Sequence, residues 1–205
     1  MAGGGEMTFK PLLLSPPMVR AYLDGRKIMT RRVVKPPAPW APGDDIDVEM
    51  ALGNFKALIQ PGNCIWWREM LRKDGDRAIY EADGKDTGLK WRWKNKVLPS
   101  IFMPKSACRA VAEVLEVRAE RVQEISRQDI RAEGIGLPPS PRPGRLKKDW
   151  GQWSELHCEF ADLWNSIHGP RAWKRNEWVW AYRFRPLKGD ELKKALGVLN
   201  ESNGH

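Results

Sequence analysis

Thr8 to Arg32 reads TFKPLLLSPPMVRAYLDGRKIMTRR, and its punctuation divides it into three pieces. Thr8 to Leu14 is a short, mostly apolar run with strand character. Ser15 is an N-cap residue, and Pro16 and Pro17 follow at the first helical positions, where a missing N–H costs little. Met18, Val19, Tyr22 and Leu23 then form an apolar helical face that runs to Gly25, a natural C-terminal stop. Beyond it, Ile28 to Val34 alternates as a strand and carries Thr30, Arg31 and Arg32. The stretch therefore predicts strand, helix, strand, with Arg26 and Lys27 at the entry to the second strand. Lys35 to Gly43 holds four prolines and predicts a connection.

Working outward, a turn at Pro61 leads into Cys64, Ile65, Trp66 and Trp67, and further strands are expected at Ala78 to Glu81 and Leu89 to Trp93, separated by Asp-Gly signals. Residues 107–122 are open on periodicity alone. Val111, Val114, Leu115, Arg118 and Val122 fit a helical face, while the β-branched content fits a long strand equally well. Ser126 starts a short helix, with Asp129 three residues on as an approximate capping box and Gly134 as its stop. Residues 135–150 are Pro-rich and basic and predict an exposed loop. Trp153, Leu156, Phe160, Leu163, Trp164 and Ile167 keep helical spacing up to Gly169. Trp178, Trp180, Tyr182 and Phe184 alternate with Val179, Ala181, Arg183 and Arg185 as a strand. Residues 1–7 are expected to be a flexible start, 8–186 the domain, and 187–205 a tail with an appended helix. No internal repeat is present.

The chain has 205 residues, 41% hydrophobic and 30% charged, which suits one folded domain with extensions. Its longest apolar stretch, around Pro11 to Val19, is interrupted by Ser15, Pro16 and Pro17 and is too short to span a bilayer. Cys64, Cys108 and Cys158 lie far apart with no CxxC pair, so neither a disulfide framework nor a cysteine-rich zinc site is expected, and a cytoplasmic location fits best. The histidines His157, His168 and His205 have no metal-ligand spacing. No cofactor and no membrane association are expected, and a monomer is favoured. Net charge is +9 with a sequence pI of about 9.6, which makes nucleic acid the default partner. Eleven tryptophans serve equally as core filler or as base-stacking platforms.

The strand, the Pro-capped helix and the Gly25-Arg26-Lys27-x-x-Thr30-Arg31-Arg32 motif, ahead of a β-rich body closing on an aromatic strand, resemble the ASCH domain family. The likeness is greatest to its phage and prophage branch. It rests on Ser-Pro-Pro-Met-Val at 15–19, Pro-Gly-x-x-x-Trp-x-Arg-Glu at 61–69 and Pro-Ser-Ile-x-Met-Pro at 99–104. Ala-Glu-Gly-Ile at 132–135 and Leu-Trp-x-Ser-Ile-His-Gly at 163–169 complete it, so that it covers about residues 8–186. The resemblance implies an α+β fold, a PUA-like mixed β-barrel with flanking short helices and a Pro-rich basic insertion, in which 107–122 is a strand. One departure is Gly62-Asn63, where the family usually has Gly-Asp.

Some small ASCH proteins are N4-acetylcytidine amidohydrolases, and the resemblance implies Lys27, Thr30 and Glu133 as the matching catalytic residues. A lysine depressed by burial and neighbouring cations accepts the threonine proton; the threonine attacks the amide carbonyl; the glutamic acid protonates the leaving amine. Arg26, Arg31 and Arg32 would steady an oxyanion or a phosphate, Trp66 would line the pocket, and Glu69 would accept a base amino group. The bland reading makes Lys27, Arg31 and Arg32 a solvated basic strand end and gives Glu69 an internal ion pair with Arg68 or Arg32. Arg142, Arg145, Lys147, Lys148, Arg171, Lys174 and Arg175 are the expected phosphate contacts. Lys90-Trp91-Arg92-Trp93-Lys94-Asn95-Lys96 reads either as a nucleic-acid surface or as an amphipathic strand with its indoles in the core. Three functions compete: a hydrolase acting on acylated cytosine, a non-catalytic reader of nucleic acid or a modified nucleoside, and an ASCH-type ribonuclease. Lys27, Thr30, Glu69 and Glu133 are expected to converge on one pocket.

Overall fold

The computed structural model describes residues 7–34, 57–136 and 154–201. The expectations for residues 1–6, the Lys35–Gly43 connection, the 137–150 loop with Arg142, Arg145, Lys147 and Lys148, Trp153, and the last four residues lie outside these. In chain order the regular elements are β1 (Phe9–Leu13), α1 (Pro16–Leu23), β2 (Met29–Val33), β3 (Cys64–Arg68), β4 (Leu71–Asp74), β5 (Arg77–Tyr80) and β6 (Asp86–Lys90). They continue as β7 (Val97–Leu98), β8 (Val111–Arg121), α2 (Arg127–Ala132), α3 (Glu155–His168), β9 (Trp178–Pro186) and α4 (Gly189–Glu201). The class is α+β. Five strands take the order β1-β3-β8-β9-β2 and four take the order β6-β5-β4-β7, and no barrel closure is seen among the described residues. No helix among the described residues is long and apolar enough to cross a membrane.

The chain divides into two compact units, the first from residues 1–25, 59–116 and 184–205, the second from residues 26–58 and 117–183. In the first, Pro16 and Pro17 open α1 behind Ser15, and Gly25 leaves it at φ +77°, a conformation that suits glycine. β1 runs parallel to β3, which pairs antiparallel with β8. Trp67 is wholly buried and meets Tyr22 and Phe184 edge-on, with ring centroids 5.5 and 5.1 Å away. Each such pair adds about 0.5–1.5 kcal/mol beyond its area. A second cluster gathers Trp66, Leu71, Tyr80, Leu98 and Met103 with Ala195 and Leu199 of α4. The last helix is therefore anchored in the core.

Several elements differ from the sequence expectation. β4 carries no pattern in the sequence, because Leu71-Arg72-Lys73-Asp74 has one apolar residue; pairing with β5 and β7 and a tight turn at Gly75, φ +57°, make it a strand. β6 ends at Lys90, so Trp91 and Trp93 lie beyond the strand expected to carry them. In the second unit, β2 pairs antiparallel with β9, setting Thr30 opposite Tyr182 and Arg31 opposite Ala181. β9 is buried on both faces: Val179 and Ala181 are fully covered while Trp178 and Trp180 are half-buried, so the small residues sit deeper than the indoles. α3 buries Leu156, Phe160 and Trp164 against Val122, Ile125 and Ile130, whereas Ile167, expected on that face, is exposed.

Candidate functional site

The second unit concentrates its buried charge around β2. Lys27 and Glu133, 106 residues apart, form an isolated antiparallel bridge, and Ile28 N–H donates to Ala132 O at 2.7 Å. The geometry of α2 makes this possible: Ser126 Oγ accepts from Asp129 N at 3.1 Å, and the helix ends at Ala132 with Glu133 as its C-cap before Gly134 at φ +88°. Lys27 Nζ, with 2% of the residue exposed, donates to Glu133 Oε2 at 2.6 Å, to Glu133 O at 3.1 Å and to Met29 O at 2.8 Å. All three ammonium protons are thereby placed. Burial pushes the Lys27 pKa down and nearby Arg32 and Arg31 add to the effect, while Glu133 opposes it.

Arg31, also 2% exposed, joins three carboxylates: Nε donates to Glu120 Oε1 at 2.6 Å, Nη1 to Glu133 Oε1 at 3.0 Å and Nη2 to Asp129 Oδ2 at 2.9 Å. Arg118 closes the cluster through Glu120, at 2.8 Å, and Asp129. Alternation along β8 puts Arg118 and Glu120 on one face, as their contact requires. Lys27, Arg31 and Arg118 thus balance Glu120, Asp129 and Glu133, the condition under which buried charge is tolerated. Thr30 and Arg32 share the other face of β2, and Thr30 Oγ1, in a residue only 1% exposed, accepts from Arg32 Nη1 at 2.9 Å.

Glu69 lies in the first unit. It is 1% exposed and takes a two-pronged ion pair from Arg109, Nε to Oε1 at 2.9 Å and Nη2 to Oε2 at 2.7 Å. The partner is thus neither Arg68 nor Arg32. Arg109 Nη1 reaches Asp83 at 2.9 Å, and its guanidinium lies 3.6 Å from the Tyr80 ring centroid. Burial outweighs the attraction of Arg109 and raises the Glu69 pKa. For a carboxyl raised on folding, the protonated form favours the folded state, and that contribution disappears as pH rises through the folded pKa. The melting temperature of Glu69→Gln should therefore improve relative to the parent as pH rises above the ordinary carboxylate range of about 4. A difference that stays flat, or moves the other way, would contradict the assignment.

The remaining expected residues are spread over both units. Trp66 is 5% exposed and packed in the core of the first unit. Arg26 is exposed, with Nη1 on Gly134 O at 3.0 Å. Arg171, Lys174 and Arg175 are exposed; Arg175 reaches His168 O and Glu177 Oε2, both at 3.3 Å. His157 is held between Ser154 Oγ, at 2.7 Å, and Ile125 O, at 3.1 Å. Sequence reasoning missed Arg118, Glu120 and Arg109 and read Asp129 as a cap alone. For Arg118 and Glu120 the signal is the run of charge along residues 113–121, dense for a strand; Arg109 lies outside it.

No family model matches the chain, and no curated protein matches it. Among solved structures it is similar to a crystal structure of an ASCH domain from Lactobacillus crispatus JV V101. The identity is 11% and the TM-score 0.36, over 87% of this chain and 79% of that one.

Proposed function

We propose that the protein removes the acyl group from N4-acylated cytosine, free or within nucleic acid, using Lys27, Thr30 and Glu133. The observation that carries the reading is the 2.6 Å contact between Lys27 Nζ and Glu133 Oε2, in a buried cluster built from the motif that resembles the ASCH amidohydrolases. In this mechanism Lys27 first loses a proton to solvent, leaving Glu133 ionised, and its amine turns from Met29 O toward Thr30. Its neutral amine takes the proton of Thr30 Oγ as that oxygen attacks the amide carbonyl, and the proton passes along the short bond to Glu133. Glu133 then delivers it to N4 as the carbon–nitrogen bond breaks, releasing cytosine and leaving Thr30 acylated. Water attacks the ester, one of its protons returns to Thr30 through Lys27, and the carboxylic acid departs. Arg32, on the threonine oxygen in the resting state, is the cation available to the developing oxyanion.

The pH dependence follows from the lysine. The active form needs the free amine, so turnover should rise with pH and level off below the ~10.4 at which an ordinary lysine titrates, because burial holds Lys27 lower. A rate that is independent of pH, or falls between pH 6 and 9, would argue against Lys27 as base.

A second reading is favoured by one specific feature: in the resting arrangement the three protons of Lys27 are committed to Met29 and Glu133, and Thr30 accepts from Arg32. That is also the arrangement of a rigid, non-catalytic pocket that reads a modified base. Arg142, Arg145, Lys147, Lys148, Arg171, Lys174 and Arg175 then serve either reading as phosphate contacts. The two separate when purified protein is incubated with a panel of acylated and unacylated cytosine nucleosides, free and within oligonucleotides, and products are read by mass spectrometry. Loss of the acyl group supports the hydrolase; tight binding of a modified base without product supports the reader.

A further inference from the structure

We propose that residues 90–102 of the first unit form a binding surface for single-stranded nucleic acid, with Lys90, Arg92, Lys94 and Lys96 on phosphates and Phe102 stacked on an unpaired base. From Thr87 to Ala112 the sequence contains no Asp or Glu. Lys90, Arg92, Lys94 and Lys96 are all exposed, and among the described residues no ion pair engages them. Several arginines elsewhere in this unit are matched instead: Arg72 with Glu81, Arg77 with Asp86, Arg185 with Glu113. A local excess of unneutralised cations is what condensed counterions on a polyphosphate exchange against.

The scaffold under these charges is fixed. Trp91 and Trp93 are partly buried against the first unit's core, their rings edge-on with centroids 4.9 Å apart, and Trp91 Nε1 donates to Trp93 O at 2.8 Å. Trp91 N–H also donates to Asp76 O at 2.7 Å. The indoles thus act as the anchor and the intervening basic residues are left outside.

The apolar part sits a few residues on. Phe102 N–H donates to Pro99 O and Met103 N–H to Ser100 O, forming a single 3-10 turn. Met103 is buried, and its carbonyl accepts from Arg68 Nη2 at 3.1 Å. The turn is thereby pinned, yet Ile101 is 56% and Phe102 64% exposed. Two large apolar side chains held rigidly in water gain nothing for the fold. An exposed ring six residues on in sequence from a run of exposed cations suits a nucleobase, whose face is available only where the strand is unpaired. Membrane attachment fits less well, since two side chains bury too little area to anchor a protein stably.

The test is fluorescence anisotropy of the full chain with a labelled, unmodified oligothymidylate of about 15 nucleotides, a length within the span of known single-strand sites. Because that probe carries no acyl group, its binding is independent of turnover at Lys27 and Thr30. Phe102→Ala should weaken binding about tenfold with an unchanged salt slope, and Phe102→Trp should retain it. Replacing Lys90, Arg92, Lys94 and Lys96 together by serine should lower the slope of log affinity against log salt by about 3. Melting temperatures of these surface variants should match the parent's. Binding unchanged by Phe102→Ala, or a salt slope unchanged in the fourfold variant, would overturn the proposal. So would a preference for phosphatidylserine vesicles over the oligonucleotide that Phe102→Ala abolishes.

Discussion

Lys27→Ala and Thr30→Ala are each expected to abolish measurable turnover of N4-acetylcytidine, and the double variant to be little worse than either single one. A general base contributes about 10²- to 10⁴-fold, and removing the nucleophile removes the covalent route altogether. Because base and nucleophile act as a unit, the second deletion has almost nothing left to remove. Steady-state rates for the four proteins check this, with nucleoside binding measured alongside and expected largely to survive. A reader behaves differently. There Lys27→Ala weakens binding by about 1–3 kcal/mol through one lost charged hydrogen bond, and Thr30→Val adds a small, independent loss. Turnover that persists in both single variants would remove the catalytic assignment.

Arg31→Ala is expected to cost about 3–5 kcal/mol of folding stability, the usual penalty for removing one partner from a buried ion cluster. Its guanidinium engages Glu120, Asp129 and Glu133 at 2.6, 2.9 and 3.0 Å while itself only 2% exposed. Without it, Asp129, Glu120 and Glu133 each lose this guanidinium partner inside the cluster. Against a typical total of about 5–15 kcal/mol, that loss would leave the domain marginal at ordinary temperature. Arg31→Lys should recover only part of it, since an ammonium is a point charge and cannot present three donors in the guanidinium's planar fork. Denaturant melts of the three proteins decide the matter. A loss below about 1 kcal/mol for Arg31→Ala would mean that the cluster does little for the fold.

The contrast between these residues explains what the sequence reveals. The first strand, helix and strand are legible because their signals are local: a serine cap, two prolines at the helix start, a glycine at its end. Residues 107–122 resist periodicity because Val111, Val114 and Val122 suit either a helix face or a strand, and pairing with β3 and β9 decides between them. β4 is invisible, as its Arg72, Lys73 and Asp74 owe their conformation to neighbours rather than to pattern. α4 reads as a tail because its apolar residues are few and scattered among charges, and only Ala195 and Leu199 are fully buried, with Leu192 and Leu196 partly so. The same division runs through the charged clusters. Lys27, Arg31 and Glu133 are singled out by two separate motifs of the family resemblance although the lysine and the glutamate lie 106 residues apart, whereas Arg118, Glu120 and Arg109 belong to no motif and find their partners 40 to 89 residues away in sequence or only within the folded strand.

The measurement that bears most directly on the proposed chemistry is a time course of purified parent protein and Thr30→Ala with N4-acetylcytidine, cytidine and acetate being followed by mass spectrometry. The proposal predicts stoichiometric cytidine and acetate from the parent, at a rate that rises with pH, and none above background from Thr30→Ala. Intact N4-acetylcytidine after prolonged incubation with folded parent protein, or equal release by the two proteins, would contradict it.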